Sequence, residues 1–203
     1  MPKIFFIINP KAGTGRKDIV ETAIDTYLDR TRHEATIQYT THAGHAAEMA
    51  REMAGKTDII VAVGGDGTVN EVARSLVYTP TALGIIPAGS GNGLARHLRI
   101  PMDPAEAMKL INEACIEKLD YGRINGEAFF CTCGVGFDAF ISMKFAEAGK
   151  RGLSTYIEKT LQDGLSYRPE VYHIELDGEN ETHEAFLIAC ANASQYGNNA
   201  YIA

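Results

Sequence analysis

The sequence predicts an α/β fold. An open, mostly parallel sheet with helices on both faces comes first, and an antiparallel, β-rich second domain follows it and is left incomplete. Three observations predict this. Short apolar runs alternate with stretches of helical periodicity up to residue 115. Glycine-rich turns directly follow several of those runs. Beyond residue 115, strand-like segments follow one another through tight turns. Alternation of the first kind builds parallel sheets covered on both faces, and strands without crossovers pair antiparallel. The expected boundaries are residues 1–115 and 116–203.

The first apolar run, KIFFIIN at residues 3–9, is rich in Ile and Phe and reads as a buried parallel strand. Pro10-Lys11-Ala12-Gly13-Thr14-Gly15 breaks it. Residues 18–29 place Ile19, Ala23, Ile24 and Tyr27 at helical spacing. Residues 35–41 alternate and predict a second strand, and residues 45–53 a second helix. The run TDIIVAV at residues 57–63 predicts a third strand, followed by a helix over 69–76. A fourth strand is expected at 82–86, then helices at 92–98 and 104–111. Pro104 suits the first position of the last one, where a missing N–H costs nothing.

In the second part, strands are expected at 116–124 and 128–135, joined by Asn125-Gly126, a strong hairpin signal. A helical region over 139–165 and strands at 170–176 and 183–191 complete the reading. Residues 177–180, Asp-Gly-Glu-Asn, supply the turn between the last two strands.

With 45% hydrophobic and 22% charged residues, the chain has enough apolar material for a packed core. Its net charge is −7, most of it beyond residue 115. No basic stripe suits a nucleic acid and no polybasic cluster suits an anionic membrane, so no nucleic-acid partner is expected. No apolar run is long enough to span a bilayer, and no signal peptide precedes the first strand, so a cytoplasmic protein is the expectation. The spacing of Cys131 and Cys133 fits neither a zinc knuckle nor a redox pair. These two, with Cys115 and Cys190, are expected to be buried, reduced core residues, Cys131 and Cys133 on one face of a strand.

Two glycine loops carry the chemistry. The first, Gly64-Gly65-Asp66-Gly67-Thr68, follows an apolar strand and opens a helix. Ligands of open parallel sheets bind at the carboxyl ends of the strands, and a helix N-terminus there offers free N–H groups to an anion. Glycines let that backbone approach phosphate, and Thr68 adds a hydroxyl. Asp66 would be repelled by phosphates unless a cation intervenes or it takes a proton from a reacting hydroxyl. Both roles belong to phosphoryl transfer; the alternative is an N-cap on its own helix. The second loop repeats the pattern with Gly89, Ser90, Gly91, Asn92 and Gly93. Arg96 and His97 sit one turn further on; Arg96 is in range of a phosphate or solvent, and His97 reads as structural. Lys11, in the first strand-end turn, can meet a phosphate as a point charge, although that turn is not a Walker A loop. His42 and His45 read as hydrogen-bonding or surface residues.

Asn9-Pro10-Lys11-Ala12-Gly13, Gly64–Thr68 and the run from Pro87 to Leu98 together resemble, in order and spacing, the catalytic domain of the diacylglycerol kinase and sphingosine kinase superfamily, bacterial soluble lipid kinases in particular. The resemblance implies a phosphofructokinase- or NAD-kinase-like first domain, ATP and Mg²⁺ as cofactors, and a lipid hydroxyl as acceptor. It implies nucleotide contacts from Gly65, Gly67, Thr68, Gly89, Ser90 and Asn92, with Asn9, Gly13 and Thr41 as further contributors. Asp66 is similar to the family's essential acid. Asp138, in Gly-Phe-Asp-Ala, resembles the acid that sphingosine kinases place at the substrate hydroxyl; an N-cap is the alternative. A β-sandwich second domain that receives the lipid is also implied, as is peripheral contact with the inner membrane face. A homodimer is left open, and so are metal ligands.

Two departures refine this. Asn92-Gly93 stands where many diacylglycerol kinases have Asn-Asp, closer to the sphingosine and ceramide kinase form. The acidic Asp-Gly-x-Leu-Asp stretch of the bacterial relatives is absent, so a fragment, inactive alone, is the expectation. The rival readings are an NAD kinase, which shares the first glycine loop and which Asn70-Glu71 suits, and a non-catalytic nucleotide-binding regulatory module.

Overall fold

The computed structural model describes residues 1–13, 17–137, 139–140, 143, 164, 167–197 and 200–202. Four parallel strands form its main sheet: β1 (Lys3–Ile8), β2 (Glu34–Tyr39), β3 (Ile59–Gly64) and β4 (Ala82–Pro87). Their spatial order is β2-β1-β3-β4. The helices are α1 (Lys17–Tyr27), α2 (His45–Met53), α3 (Asp66–Leu76), α4 (Gly93–His97) and α5 (Pro104–Glu113).

Both faces of the inner strands β1 and β3 are buried because these strands are apolar at successive positions, whereas the edge strand β2 alternates and stays partly exposed. Along β1, Ile4, Phe6 and Ile8 point to one face and pack with Val20 and Ile24 of α1 and Met108 and Ile111 of α5. Phe5 and Ile7 point to the other and pack with Met49 of α2, Val69 and Val72 of α3, and Leu94 of α4. Alternate side chains of one strand thus serve two cores.

The chain runs from β1 outward to β2, then crosses β1 to form β3 on its other side. The direction of winding therefore reverses between β1 and β3. Such a reversal opens a crevice at the carboxyl ends of the two strands. That crevice lies between Asn9 and Gly64.

Helix boundaries have local causes. Asp103 caps α5, its carboxylate accepting from Ala105 N (2.9 Å) and Glu106 N (3.1 Å), with Pro104 at the first position. Gly44, at φ 84°, opens α2 in a left-handed conformation that glycine adopts at little cost.

The described residues fall into two compact units, Met1–Cys131 with Ala191–Ala203, and Thr132–Cys190. The contact division falls at residue 131, and the last residues group with the first unit. A short hairpin, β5 (Gly122–Ile124) and β6 (Glu127–Phe129), belongs to the first unit. Asn125 (φ 50°) and Gly126 (φ 86°) make its turn, the left-handed pair that a two-residue hairpin loop requires.

In the second unit, β7 (Thr132–Gly136) pairs with β10 (Leu187–Ala191), and β8 (Glu170–Leu176) with β9 (Glu179–Ala185). The β8–β9 turn is Asp177-Gly178, again with positive φ at both residues. Phe137, Phe186 and Tyr167 cluster there, the Phe137 and Phe186 rings 4.5 Å apart. The final strands, β11 (Gln195–Gly197) and β12 (Ala200–Tyr201), pair with each other.

Several sequence expectations are corrected. Only 122–124 of the expected 116–124 strand is extended and paired. The expected 128–135 strand is interrupted at Phe130 and Cys131, because the Cys131 carbonyl accepts from Asn192 N (2.7 Å) and Ala193 N (3.0 Å) instead of a neighbouring strand. The expected 183–191 strand breaks at Phe186, whose carbonyl accepts from Phe137 N (3.0 Å). Most of the helix expected at 139–165 lies outside the described residues.

The cysteines also differ from expectation. All four are free thiols, but Cys115 and Cys190 are exposed and Cys131 and Cys133 only half-buried. Cys115 follows the left-handed cap of α5 at Ala114, where the chain leaves the core. Cys131 precedes β7 and shares no strand with Cys133.

Candidate functional site

Asn9 closes the crevice between β1 and β3. Its backbone N–H donates to the Val63 carbonyl (2.9 Å). Its side chain accepts from Lys11 N (3.0 Å) and donates through Nδ2 to Thr68 Oγ1 (3.1 Å). One residue thus shapes its own turn and ties it to α3. Thr68 is buried, so its hydroxyl serves this tie first. Lys11 and Gly13 are exposed beyond it, Gly13 at φ 61°.

The β3 loop is very short. Gly65 is the N-cap of α3 and supplies no side-chain cap, and the helix begins at Asp66. The first N–H groups of α3 therefore project without a side-chain acceptor from their own cap, the arrangement that attracts an anion. Asp66 and Gly67 are exposed there. A Cβ at Gly67 would meet nothing within 4 Å, so neither packing nor backbone strain explains this glycine. It leaves open space beside the first turn of α3.

The other glycines answer to packing. A Cβ on Gly89 would press into the Gly65 Cα, and one on Gly91 would lie 2.6 Å from Asp66 Oδ2. A Cβ on Gly64 would lie 2.6 Å from Thr68 Oγ1. The two loops can touch only because these side chains are missing. The Ala88 N–H donates to the Gly64 carbonyl across the same contact (2.8 Å).

Asp66 joins the loops. Its Oδ2 accepts from Asn92 N (2.8 Å) and its Oδ1 from Gly93 N (2.6 Å). The carboxylate therefore caps α4, a helix 27 residues further along the chain, and not its own helix as the N-cap alternative supposed. Asn92 is left-handed at φ 55° and buried. Its side chain accepts from Gly89 N (2.9 Å) and donates to Gly89 O (2.8 Å), closing the second loop on itself. Arg96 Nε donates to Gly91 O (3.0 Å), so this arginine grips the loop from the helix behind. Ser90 is exposed at the loop's tip.

Thr41 follows β2. Its N–H donates to His45 Nδ1 (3.1 Å), and its hydroxyl lies 2.9 Å from His42 Nδ1. The two imidazoles stack, 4.8 Å between centroids. Gly44 N donates to Glu71 Oε1 (3.1 Å), so α3 anchors this turn too. Both histidines lie within hydrogen-bonding distance of Thr41 here, in keeping with the hydrogen-bonding or surface roles expected of them. Asp138 lies outside the described residues.

The structure thus brings Asn9, Gly64, Gly65, Asp66, Thr68, Gly89, Gly91 and Asn92 into one bonded or touching set, with Gly67 open beside it. It adds Glu71, a tether that its residue type alone did not announce, and Cys131. Burial, followed by the charge of Asp66, pushes the Cys131 thiol up to about 11. A carboxylate and a half-buried thiol therefore share one neighbourhood.

Residues 3–124 match the diacylglycerol kinase catalytic domain. The chain belongs to this family. The diacylglycerol kinase of Bacillus subtilis is 32% identical to it over 205 residues, 95% of this chain and 66% of that protein. The diacylglycerol kinase of Mycobacterium tuberculosis H37Rv is 29% identical over 207 residues, 97% of this chain and 64% of that protein. A crystal structure of a diacylglycerol kinase from Bacillus anthracis covers 97% of the chain at a TM-score of 0.72 and 28% identity, and the chain covers 65% of it. The chain spans about two thirds of the length of these relatives. The diacylglycerol kinase fold is therefore shared well beyond the loops: parallel sheet first, antiparallel strands after.

Proposed function

We propose that the chain carries the donor side of an ATP- and Mg²⁺-dependent lipid kinase, transferring the γ-phosphoryl group to a lipid hydroxyl of diacylglycerol or a sphingoid-like relative. The observation that carries this is the uncapped start of α3, open at Gly67, facing a second loop that Asp66 holds in place. Gly65, Gly67, Thr68, Gly89, Ser90, Gly91 and Asn92 would surround the phosphates, with Lys11, Gly13 and Thr41 on adjoining strand ends.

Among the described residues no three His, Cys, Asp or Glu side chains converge on a metal position. That suits Mg²⁺, which commonly binds through one or two carboxylates and the nucleotide's own phosphates. Asp66 has acceptor capacity left for it, since each carboxylate oxygen carries more than one lone pair. The ion would supply neutralisation of charge on the transferring group.

In the transfer, the bond from γ-phosphorus to the bridging oxygen breaks and a bond to the lipid oxygen forms. ADP leaves, and the hydroxyl proton passes to a carboxylate, Asp66 or Asp138. Fixed amides aimed at the phosphates supply most of the rate, because they need no reorganisation as charge shifts. No helix among the described residues is long and apolar enough to cross a membrane, so the lipid would be met by peripheral contact with the membrane surface.

The test is incubation of the full chain with ATP, Mg²⁺ and vesicles containing diacylglycerol or sphingosine. Phosphate appearing on the lipid supports the reading. Phosphate appearing on added NAD, with none on lipid, refutes it.

A further inference from the structure

We propose that His97 is a positioning residue of the nucleotide site: through an unprotonated Nδ1 it fixes the far end of α4, and thereby the second glycine loop, to the segment that follows residue 191. The proposal rests on the nucleotide-binding reading above.

With five residues, α4 is far below the roughly 12–15 at which an isolated helix persists in water. Its position is therefore set by its partners. Asp66 holds its first amides. Leu94 and Ala95 bury its middle. His97 holds its end. The Ser194 backbone N–H donates to His97 Nδ1 (3.2 Å), and Ser194 Oγ lies 3.2 Å from the same nitrogen. A backbone N–H only donates, so Nδ1 is the acceptor and the ring proton sits on Nε2.

The segment that His97 grips is itself fixed. Asn192 Nδ2 donates to Asp120 O (2.8 Å) and Phe130 O (3.2 Å). The Asn192 and Ala193 amides donate to Cys131 O, and Ile202 N donates to Ser194 O (3.0 Å). Ala193 and Gln195 on either side are buried. His97 thus joins a short helix to an anchored support. One residue before it, Arg96 reaches back to Gly91 O and its N–H donates to Asn92 O (2.9 Å). A shift at His97 is handed directly to the loop expected to hold phosphate.

Three substitutions separate this role from simple packing. His97→Asn keeps an acceptor oxygen at the place of Nδ1. His97→Phe keeps a flat ring and removes the acceptor. His97→Ala removes both. Mg·ATP affinity is measured by calorimetry on the full chain, and kcat and KM for ATP and for lipid are measured separately. His97→Phe and His97→Ala are expected to weaken ATP about tenfold, with KM for lipid unchanged, because an orphaned N–H and a loosened loop cost about that much. His97→Asn is expected to stay within about twofold of the unsubstituted chain. If His97→Phe binds ATP normally, or His97→Asn is as weak as His97→Phe, the proposal is overturned while the kinase reading stands. If the unsubstituted chain binds no ATP, the kinase reading falls and takes this proposal with it.

Discussion

The Oδ1 of Asp66 lies 2.6 Å from the Gly93 amide, and its Oδ2 lies 2.8 Å from that of Asn92. A carboxylate at the start of one helix thereby caps the next. The same residue is the acid that the phosphoryl-transfer reading needs. Asp66 must therefore be understood as a builder of the site before it is understood as a reagent in it.

Asp66→Asn separates these roles only in part. An amide side chain has one acceptor oxygen, so one of the two N–H groups would face an NH₂ group. The expected outcome is weaker nucleotide binding, about tenfold or more, together with a lower turnover. Calorimetry with ATP beside a lipid phosphorylation assay checks this. Loss of turnover with unchanged ATP affinity would assign Asp66 to chemistry alone.

Gly67 and Gly89 should behave in opposite ways. Gly67→Ala meets open space at a helical position, so the thermal midpoint should hold or rise slightly. KM for ATP should nevertheless increase, about tenfold, because the methyl enters the phosphate approach. Gly89→Ala drives a Cβ into the Gly65 backbone and to 2.9 Å from Asn92 Oδ1. It should lose about 1–3 kcal/mol of stability, as overpacking does. Denaturant melts and steady-state kinetics on both variants decide this.

The Cys131 thiol gives a pH prediction with a definite sign. Burial raises it from 9.0 to about 11, and the Asp66 carboxylate adds to that. The folded state thus keeps a proton that the unfolded chain releases. This stabilisation is fully present below pH 9 and is lost as pH rises toward 11. At pH 8, a thiol reagent should label exposed Cys115 and Cys190 well before Cys131. Labelling rates read by peptide mass spectrometry test the order, and equal rates would contradict it.

Much of the first unit was legible because its signals are local. The helix His45–Met53 falls where its periodicity placed it, behind a glycine that opens it. The strands β1, β3 and β4 ended where glycine or proline interrupted an apolar run, so the two glycine loops were placed on the carboxyl edge from the sequence. The partner of Asp66 was not legible, because the amides it caps lie 26 and 27 residues away and carry no residue-type signature. Glu71 was missed as a tether, and His97, read as structural, had no legible partner, for the same reason: a backbone N–H partner leaves no mark in the sequence. The later strands broke at Cys131 and Phe186, where a carbonyl turned to a distant segment against an uninterrupted apolar pattern.

The central claim is that the two glycine loops jointly hold the phosphates of ATP. Amide hydrogen exchange of the full chain, with and without Mg·ATP, tests it most directly. Protection is expected to rise at residues 65–68 and 89–93 together. Protection confined to other segments, with both loops unchanged while ATP is bound, would contradict it.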